Sequence, residues 1–266
     1  MAYRLSDAAR AEGHRLHAHD RLASTNTEAL ERARCGETGP LWVVAARQDA
    51  GRGRRGNHWT SLPGNLTASL LWPVAGVAPE RVATLGFVAG LALVQALGDL
   101  LGAVPVAGQE PRFRLKWPND VLAGEAKLAG ILLESESLPG GRRALVVGFG
   151  VNVVAAPAGL AYPATALADL GVPATAEALF EHLTGRLVEA GRIWNQGRNF
   201  PAIRERWLRF AAGLGEAVAV RLDCETLRGR FDTIDEGGRL VILAPDGARR
   251  TVTAGEVHFG TAATAA

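Results

Sequence analysis

At 266 residues, the chain has room for one large domain with a smaller one beside it, and enough length to bury a sizeable core. Its composition, 48% hydrophobic and 21% charged, is that of an ordinary soluble globular protein, and a net charge of +2 excludes the large basic excess that gripping nucleic acid through its phosphates requires. Two widely separated cysteines, Cys35 and Cys224, form no CxxC pair, so neither a disulfide framework nor a zinc site is indicated.

The stretch Met1–Asp7 has no apolar signal core, and no segment reads as a membrane span: Val82–Leu101 comes nearest, but Gln95 and Asp99 interrupt it. A reduced cytoplasmic protein without a membrane partner is the expectation. His14, His17 and His19 precede Asp20; His17 and His19 share a strand face while His14 has the other parity, so they read as edge-strand or surface groups rather than metal ligands. Ser24-Thr25-Asn26-Thr27-Glu28 opens a helix, with Thr25 and Glu28 at capping-box spacing, and Gly36 ends it after about Cys35.

The apolar run Leu41–Ala46 feeds a loop, Gln48-Asp49-Ala50-Gly51-Arg52-Gly53-Arg54-Arg55-Gly56-Asn57-His58-Trp59. Its glycines let the backbone fold closely around a ligand, and its guanidinium groups reach any phosphate or carboxylate held there. The spacing also fits G-x-G-x-x-G, but a dinucleotide loop opens a helix and meets an acid about 20 residues on. Here a polar turn and a strand-like run, Asn65–Trp72, follow, and the nearest acid, Glu80, stands after Pro79 on a different element. The Rossmann reading fails on context.

Pro79–Leu101 carries apolar residues at helical spacing and predicts a core helix, followed by a loop over Ala103–Pro111. Arg112–Trp117 alternates with period two, a half-buried strand broken by Pro118-Asn119-Asp120. Val121–Lys127 reads as a hairpin turning at Gly124-Glu125, and its return strand, Leu128–Glu134, pairs with Arg143–Val153 across Gly140-Gly141. Two helices follow, Thr175–Gln196 and Phe200–Ala211. Short strands at Glu216–Leu222, Thr226–Asp235, Arg239–Ala244 and Arg249–Val252 then predict a separate small β-barrel of about 50 residues, with a disordered Ala/Thr tail after Gly260. Strands clustered between helices give an α+β class: a mixed sheet packed with helices over residues 1–212, and the small barrel over 213–266.

Polar residues or glycines interrupt otherwise buried strands at the Gly/Arg loop, Lys116-Trp117-Pro118-Asn119-Asp120, Lys127-Leu128-Ala129-Gly130, and Gly148-Phe149-Gly150-Val151-Asn152-Val153. Lys116 and Asp120 flank a strand end, where a sheet presents chemical groups: the lysine neutralises an anion and the aspartate can hold magnesium. Lys127 in an apolar hairpin is costly unless it snorkels or meets an anion, and glycines 148 and 150 inside a strand mark a close approach to the backbone. Together these segments describe an anion pocket with a cation-rich cover, suited to chemistry on a nucleotide phosphate.

In order and spacing, Gly51–Gly56, Lys116–Asp120, Lys127–Leu132 and Gly148–Asn152 resemble the signature motifs of the biotin protein ligases, and the likeness spans about residues 20 to 260. The small C-terminal barrel, SH3-like in that family, belongs to the resemblance, which implies ATP-dependent activation of biotin to biotinyl-5′-AMP and transfer to a lysine of a biotin carboxyl carrier protein or domain. It further implies that Ser24, Thr25 and Gln48 meet the ureido ring with the backbone near Gly51 and Arg52, and that Trp59, Gly130, Leu132, Gly148 and Gly150 line the slot for the rings and chain. By the same likeness Arg52, Arg54 and Arg55 cover the phosphates and retain the intermediate, Lys127 binds the carboxylate and α-phosphate, Lys116 supports the phosphates, and Asp120 with Asn152 holds Mg2+ and the nucleotide. Asn26, Gly53, Gly56, Asn119 and Ile131 fall in the same binding set.

With the first motif at Ser24, an N-terminal DNA-binding domain has no room, so no nucleic-acid partner is expected; Pro163 stands where some members place a tryptophan near adenine. A homodimer through a sheet edge, common among shorter members, is a further expectation. The alternative, transfer of lipoate or octanoate by a related fold, is disfavoured by the Gly/Arg loop and the extra barrel. The loop from Gly51 to Trp59 is expected to open in the free protein and to order over the adenylate. Amide exchange across it should slow when biotin and ATP are added together; equal protection with and without them refutes this.

Overall fold

The computed structural model describes residues 2–102, 111–222 and 225–259. The expected loop at 103–111 and the tail after Gly260 fall almost wholly outside that span, as does Cys224. Seven strands form one mixed sheet: β1 (Arg15–Leu22), β2 (Leu41–Gln48), β3 (Leu66–Leu71), β4 (Phe113–Lys116), β5 (Asp120–Ala123), β6 (Ala126–Ser137) and β7 (Arg143–Val151), in the order β1-β2-β3-β7-β6-β5-β4. β1 and β2 run parallel, and every other neighbouring pair is antiparallel.

Strand alternation divides the apolar residues between two sides of this sheet. Trp42 and Val44, Leu66, Ala68 and Leu70, and Leu145, Val147, Phe149 and Val151 face the main core. That core is closed by α4 (Leu85–Leu100), α5 (Ala176–Trp194) and α6 (Phe200–Leu208), whose apolar stripes meet the sheet. Leu41, Val43, Leu71, Ala144 and Val146 face the other way and meet Ala29, Leu30 and Ala33 of α2 (Thr25–Arg34) in a smaller second core. A single ten-residue helix covers only one end of that second face, and this is what leaves room for a site. A short helix, α1 (Asp7–Ala11), precedes β1, and the helix expected over 79–101 is divided into α3 (Pro79–Val82) and α4. At the break, Thr84 Oγ1 donates to Arg81 O at 2.6 Å and accepts from Trp194 Nε1 at 2.8 Å. By length and composition the 79–100 stretch would pass for a membrane span, contrary to the sequence reading; it is a buried core helix, with Asp99 held by Arg186 at 2.6 Å.

The C-terminal segment holds β8 (Ala217–Arg221), β9 (Thr226–Ile234), β10 (Leu240–Leu243), β11 (Arg249–Val252) and β12 (Glu256–Phe259), an antiparallel sheet ordered β11-β10-β9-β8-β12. The expected barrel is therefore a five-stranded sheet, because among the described residues β11 and β12 are its two edges and do not pair. The sequence reading does not include β12, four residues that follow β11 closely and carry a charged and a histidine side chain among them. Nor is its interior separate. Val218, Val220, Phe231, Ile234 and Leu240 continue the main core, and Trp117 Nε1 donates to Gly238 O at 3.0 Å across the junction.

Replacing Thr84 by Val keeps the shape but orphans the buried Trp194 indole N–H, at a cost of about 1–3 kcal/mol. Urea denaturation should show that loss for Thr84→Val and a much smaller one for Thr84→Ser.

Candidate active site

Where α2 ends its cover, the second face of the sheet carries Gly148 and Gly150 of β7 and Gly130 and Leu132 of β6, which floor a cavity of about 640 Å³. The missing side chains are used at once. A Cβ on Gly150 would lie 2.3 Å from the Trp59 ring, one on Gly130 3.2 Å from it, and one on Gly148 2.2 Å from Asn26 Oδ1. Trp59 and Asn26 thus lie directly on the strand backbones.

Trp59 ends the Gly/Arg loop, which is a small hairpin. Trp59 N–H donates to Gly51 O at 2.9 Å, Gly53 N–H donates to Asn57 O at 2.7 Å, and Arg52 bridges His58. Its tip turns through Arg55 at φ 55° and Gly56 at φ 76°, the left-handed region that glycine tolerates and arginine rarely adopts. Gly51 and Gly56 shape this hairpin without lining the cavity; a Cβ on Gly51 would meet Trp59 O at 2.4 Å.

One end of the cavity is polar and neutral. Ser24, not Thr25, caps α2, its side chain accepting from Thr27 N–H at 3.5 Å, which corrects the capping-box reading. Thr25 is thereby freed to meet Gln48 Oε1 through its N–H at 2.7 Å and its hydroxyl at 3.0 Å. Ser69 Oγ of β3 lies 2.7 Å from Thr25 Oγ1 and 2.5 Å from Asn26 Oδ1. Sequence reasoning passed over Ser69, although a serine inside a fully buried strand is the signal that marks it.

The other end is ionic. Lys127 Nζ sits 2.8 Å from Asp120 Oδ1, 5.8 Å from the Trp59 ring centre and 5.3 Å from that of Tyr162. A register shift aims it there. Val121 pairs with Ala129 but Leu122 pairs with Lys127, so Leu128 is an extra residue, both Leu128 and Ala129 turn into the core, and Lys127 turns out to the cavity. Still paired with Leu122, Lys127 also bridges the segment 163–165: its N–H donates to Pro163 O at 2.8 Å and its carbonyl accepts from Thr165 N–H at 3.0 Å. Arg54 Nη1 donates to Asn119 Oδ1 at 3.1 Å, while Asn119 Nδ2 donates to Ile131 O at 2.8 Å. Burial pushes the Lys116 ammonium below its usual range, opposed by Asp120 and Glu256 and assisted by Lys127, and burial with the neighbouring Arg55 does the same to Arg54. Cations held partly out of water around one carboxylate are a standing demand for an anion.

The cavity thus gathers Ser24, Thr25, Asn26, Gln48, Arg52, Gly53, Arg54, Arg55, Trp59, Lys116, Asn119, Asp120, Lys127, Gly130, Ile131, Leu132, Gly148 and Gly150. Asn152 is not among them: it is 2% exposed, and its Nδ2 donates to Thr165 O at 3.1 Å. With its N–H on Leu128 O and its carbonyl accepting from Leu167 N–H, Asn152 stitches down the segment that holds the Lys127 backbone. Residues of the small sheet, Glu256, His258 and Phe259, close the cavity on the Lys116 side, with Lys116 Nζ 5.9 Å from the Phe259 ring centre. They too escaped the sequence reading, since β12 did. Among the described residues, no cluster of three or more His, Cys, Asp or Glu could hold a metal by itself.

Residues 18–152 match the model of the biotin/lipoate A/B protein ligase family, and residues 213–260 match that of the biotin protein ligase C-terminal domain. The biotin–[acetyl-CoA-carboxylase] ligase of Paracoccus denitrificans is 41% identical over 245 residues, covering 90% of this chain and 98% of the relative. The biotin protein ligase of Aquifex aeolicus, solved with biotin and ATP, superposes with a TM-score of 0.76 at 26% identity, covering 92% of this chain and 99% of that one. The Leishmania major enzyme, solved with biotinyl-5-AMP, gives a TM-score of 0.64 at 25% identity over 90% of this chain and 99% of that one.

Alanine at Gly150 should displace Trp59 and cost about 1–3 kcal/mol of overpacking, whereas alanine at Gly130, with the longer approach, should cost distinctly less. Urea midpoints of the two variants check the order, and equal losses would refute the close-approach account.

Proposed function

The chain belongs to the biotin protein ligase family, and on that footing we propose how its residues divide the work. The activity is ATP-dependent activation of biotin to biotinyl-5′-AMP, followed by transfer of the biotinyl group to a lysine of an acceptor protein. The observation that carries the assignment is the polarity of the cavity: a neutral hydrogen-bonding end at Thr25 and Gln48, a glycine-floored apolar middle under Trp59, and an ionic end at Lys127. That is the order of groups in biotin, a ureido ring, a fused apolar bicycle with its chain, and a carboxylate.

In the first step, a carboxylate oxygen of biotin attacks the α-phosphorus of ATP, and the bond to the bridging oxygen breaks to release pyrophosphate. Lys127 would neutralise the carboxylate and α-phosphate oxygens as these two anions meet, and Lys116, Arg54 and Arg55 would hold the remaining phosphates. Trp59 and the loop would keep water from the acyl-phosphate anhydride. In the second step, the acceptor ε-amine attacks the acyl carbon, AMP leaves with the bonding pair of the C–O bond, and the amine loses a proton. Asp120 is the candidate to receive it.

Magnesium fits the same end. Among the described residues, Asp120 Oδ1 is buried and accepts no hydrogen bond apart from its ion-pair contact with Lys127, and a lone carboxylate suits an ion that takes its other ligands from phosphate and water. Bound there, the ion supplies charge neutralisation. The acceptor would be a biotin carboxyl carrier protein or domain, the location cytoplasmic, and the boundary between catalytic and small domains near residue 212. A homodimer would form along β1, which stands at the sheet edge with β2 as its neighbour.

ATP–pyrophosphate exchange should appear with biotin and magnesium, and not with lipoate, octanoate or no acid, and chelating the magnesium should abolish it. Exchange with lipoate or octanoate instead would move the chain to the sister activity.

A further inference from the structure

Glu134 does not line the cavity, yet its carboxylate joins two parts that do. On β6, Gly130, Leu132 and Glu134 share the face turned toward the site, and the Glu134 side chain is 25% exposed. One oxygen, Oε2, accepts from Asn26 Nδ2 at 2.7 Å and from Arg52 Nη2 at 3.1 Å. The same Arg52 nitrogen reaches Thr27 Oγ1 of α2 at 3.1 Å. Through Asn26, the contacts run on to Ser69, Thr25 and Gln48. Gln48 and Arg52 bracket the start of the Gly/Arg loop, so the chain of polar contacts leaves the loop at Gln48 and returns to it at Arg52.

A carboxylate is the acceptor this ring needs. The Asn26 side chain is 4% exposed, and a neutral hydroxyl such as that of Ser69 would accept either orientation of its amide. An ionised carboxylate only accepts, so the amide NH₂ must face Glu134 and its oxygen must face Ser69. Arg52 pairs with this partly buried carboxylate at 3.1 Å.

We propose that Glu134 is a positioning residue for the ligase reaction: it fixes Asn26 at the ring-binding end of the cavity and ties down Arg52, so that seating the ring and closing the Gly/Arg loop reinforce each other. The inference rests on the cavity being the biotin and adenylate site. It also separates the three arginines, leaving Arg54 and Arg55 for the phosphates and giving Arg52 to the latch.

The test uses the full chain as wild type, Glu134→Gln, Arg52→Ala and the double variant. Glu134→Gln should raise the dissociation rate of preformed biotinyl-5′-AMP about tenfold, the scale of one charge-assisted hydrogen bond, and raise KM for biotin in pyrophosphate exchange by a larger factor than it lowers kcat. The double variant should release the adenylate no faster than Arg52→Ala alone. A wild-type dissociation rate in folded Glu134→Gln, or effects of the two substitutions that simply multiply, would overturn the proposal. If Glu134→Gln proves too unstable to purify, Glu134→Asp keeps the charge but withdraws the oxygens, and its dissociation rate is read in the same way. Absence of biotin-dependent exchange in the wild type would instead overturn the assignment of the cavity.

Discussion

A strand face without side chains is the constraint on which the site depends. A β-sheet normally presents a row of Cβ atoms, and a ligand or loop packs on top of them at side-chain distance. At Gly148, Gly150 and Gly130 that layer is absent, and Trp59 and Asn26 take its place against the backbone. The indole gains contact over a broad flat surface, and the floor of the cavity drops by the thickness of a methyl group. The cost is a weaker strand, since glycine loses more freedom on ordering than any other residue. Antiparallel neighbours on both sides of β7 offset it, because β3 and β6 pair with β7 along its length.

The two cores explain why the site lies where it does. The main core is continuous from the seven-stranded sheet through the helices into the small sheet, so those parts are held as one body. The second core stops with Ala144 and Val146, and the polar residues Thr67 and Ser69 begin where the cover of α2 gives out. Such buried hydroxyls are tolerated because each has a partner, Thr67 Oγ1 on Ala45 O at 2.7 Å and Ser69 Oγ on the start of α2. Binding chemistry thus occupies the transition between an apolar seam and an open face.

Much of this was legible in the sequence. Period-two alternation located β4, glycine turns located the hairpins, and each of the four ordered motifs contributes residues to the cavity lining. What escaped shares a physical character: it depends on register or on distant partners. Parity along β6 would place Lys127 and Gly130 on opposite faces; only the extra residue at Leu128 puts both at the cavity, and bulges leave no local mark in composition. Asn152 entered the site through the family resemblance; its amide donates to Thr165 O, a partner that spacing does not reveal. Ser24 and Thr25 exchanged roles for the same reason, as Gln48 claims the threonine from another element. Glu134 stayed hidden because an acid near the end of a long strand looks like an ordinary solvated residue.

The irregularity at Leu128 has a consequence for how this enzyme can change. A regular ladder between β5 and β6, without the extra residue, is the other register this sequence could take. Slipping into it would rotate Lys127 onto the face of Ile131, away from the cavity and into a hydrocarbon environment, where an ammonium is heavily penalised. The buried charge that such a slip would create guards the register, so the ammonium that faces the cavity also keeps the bulge from annealing.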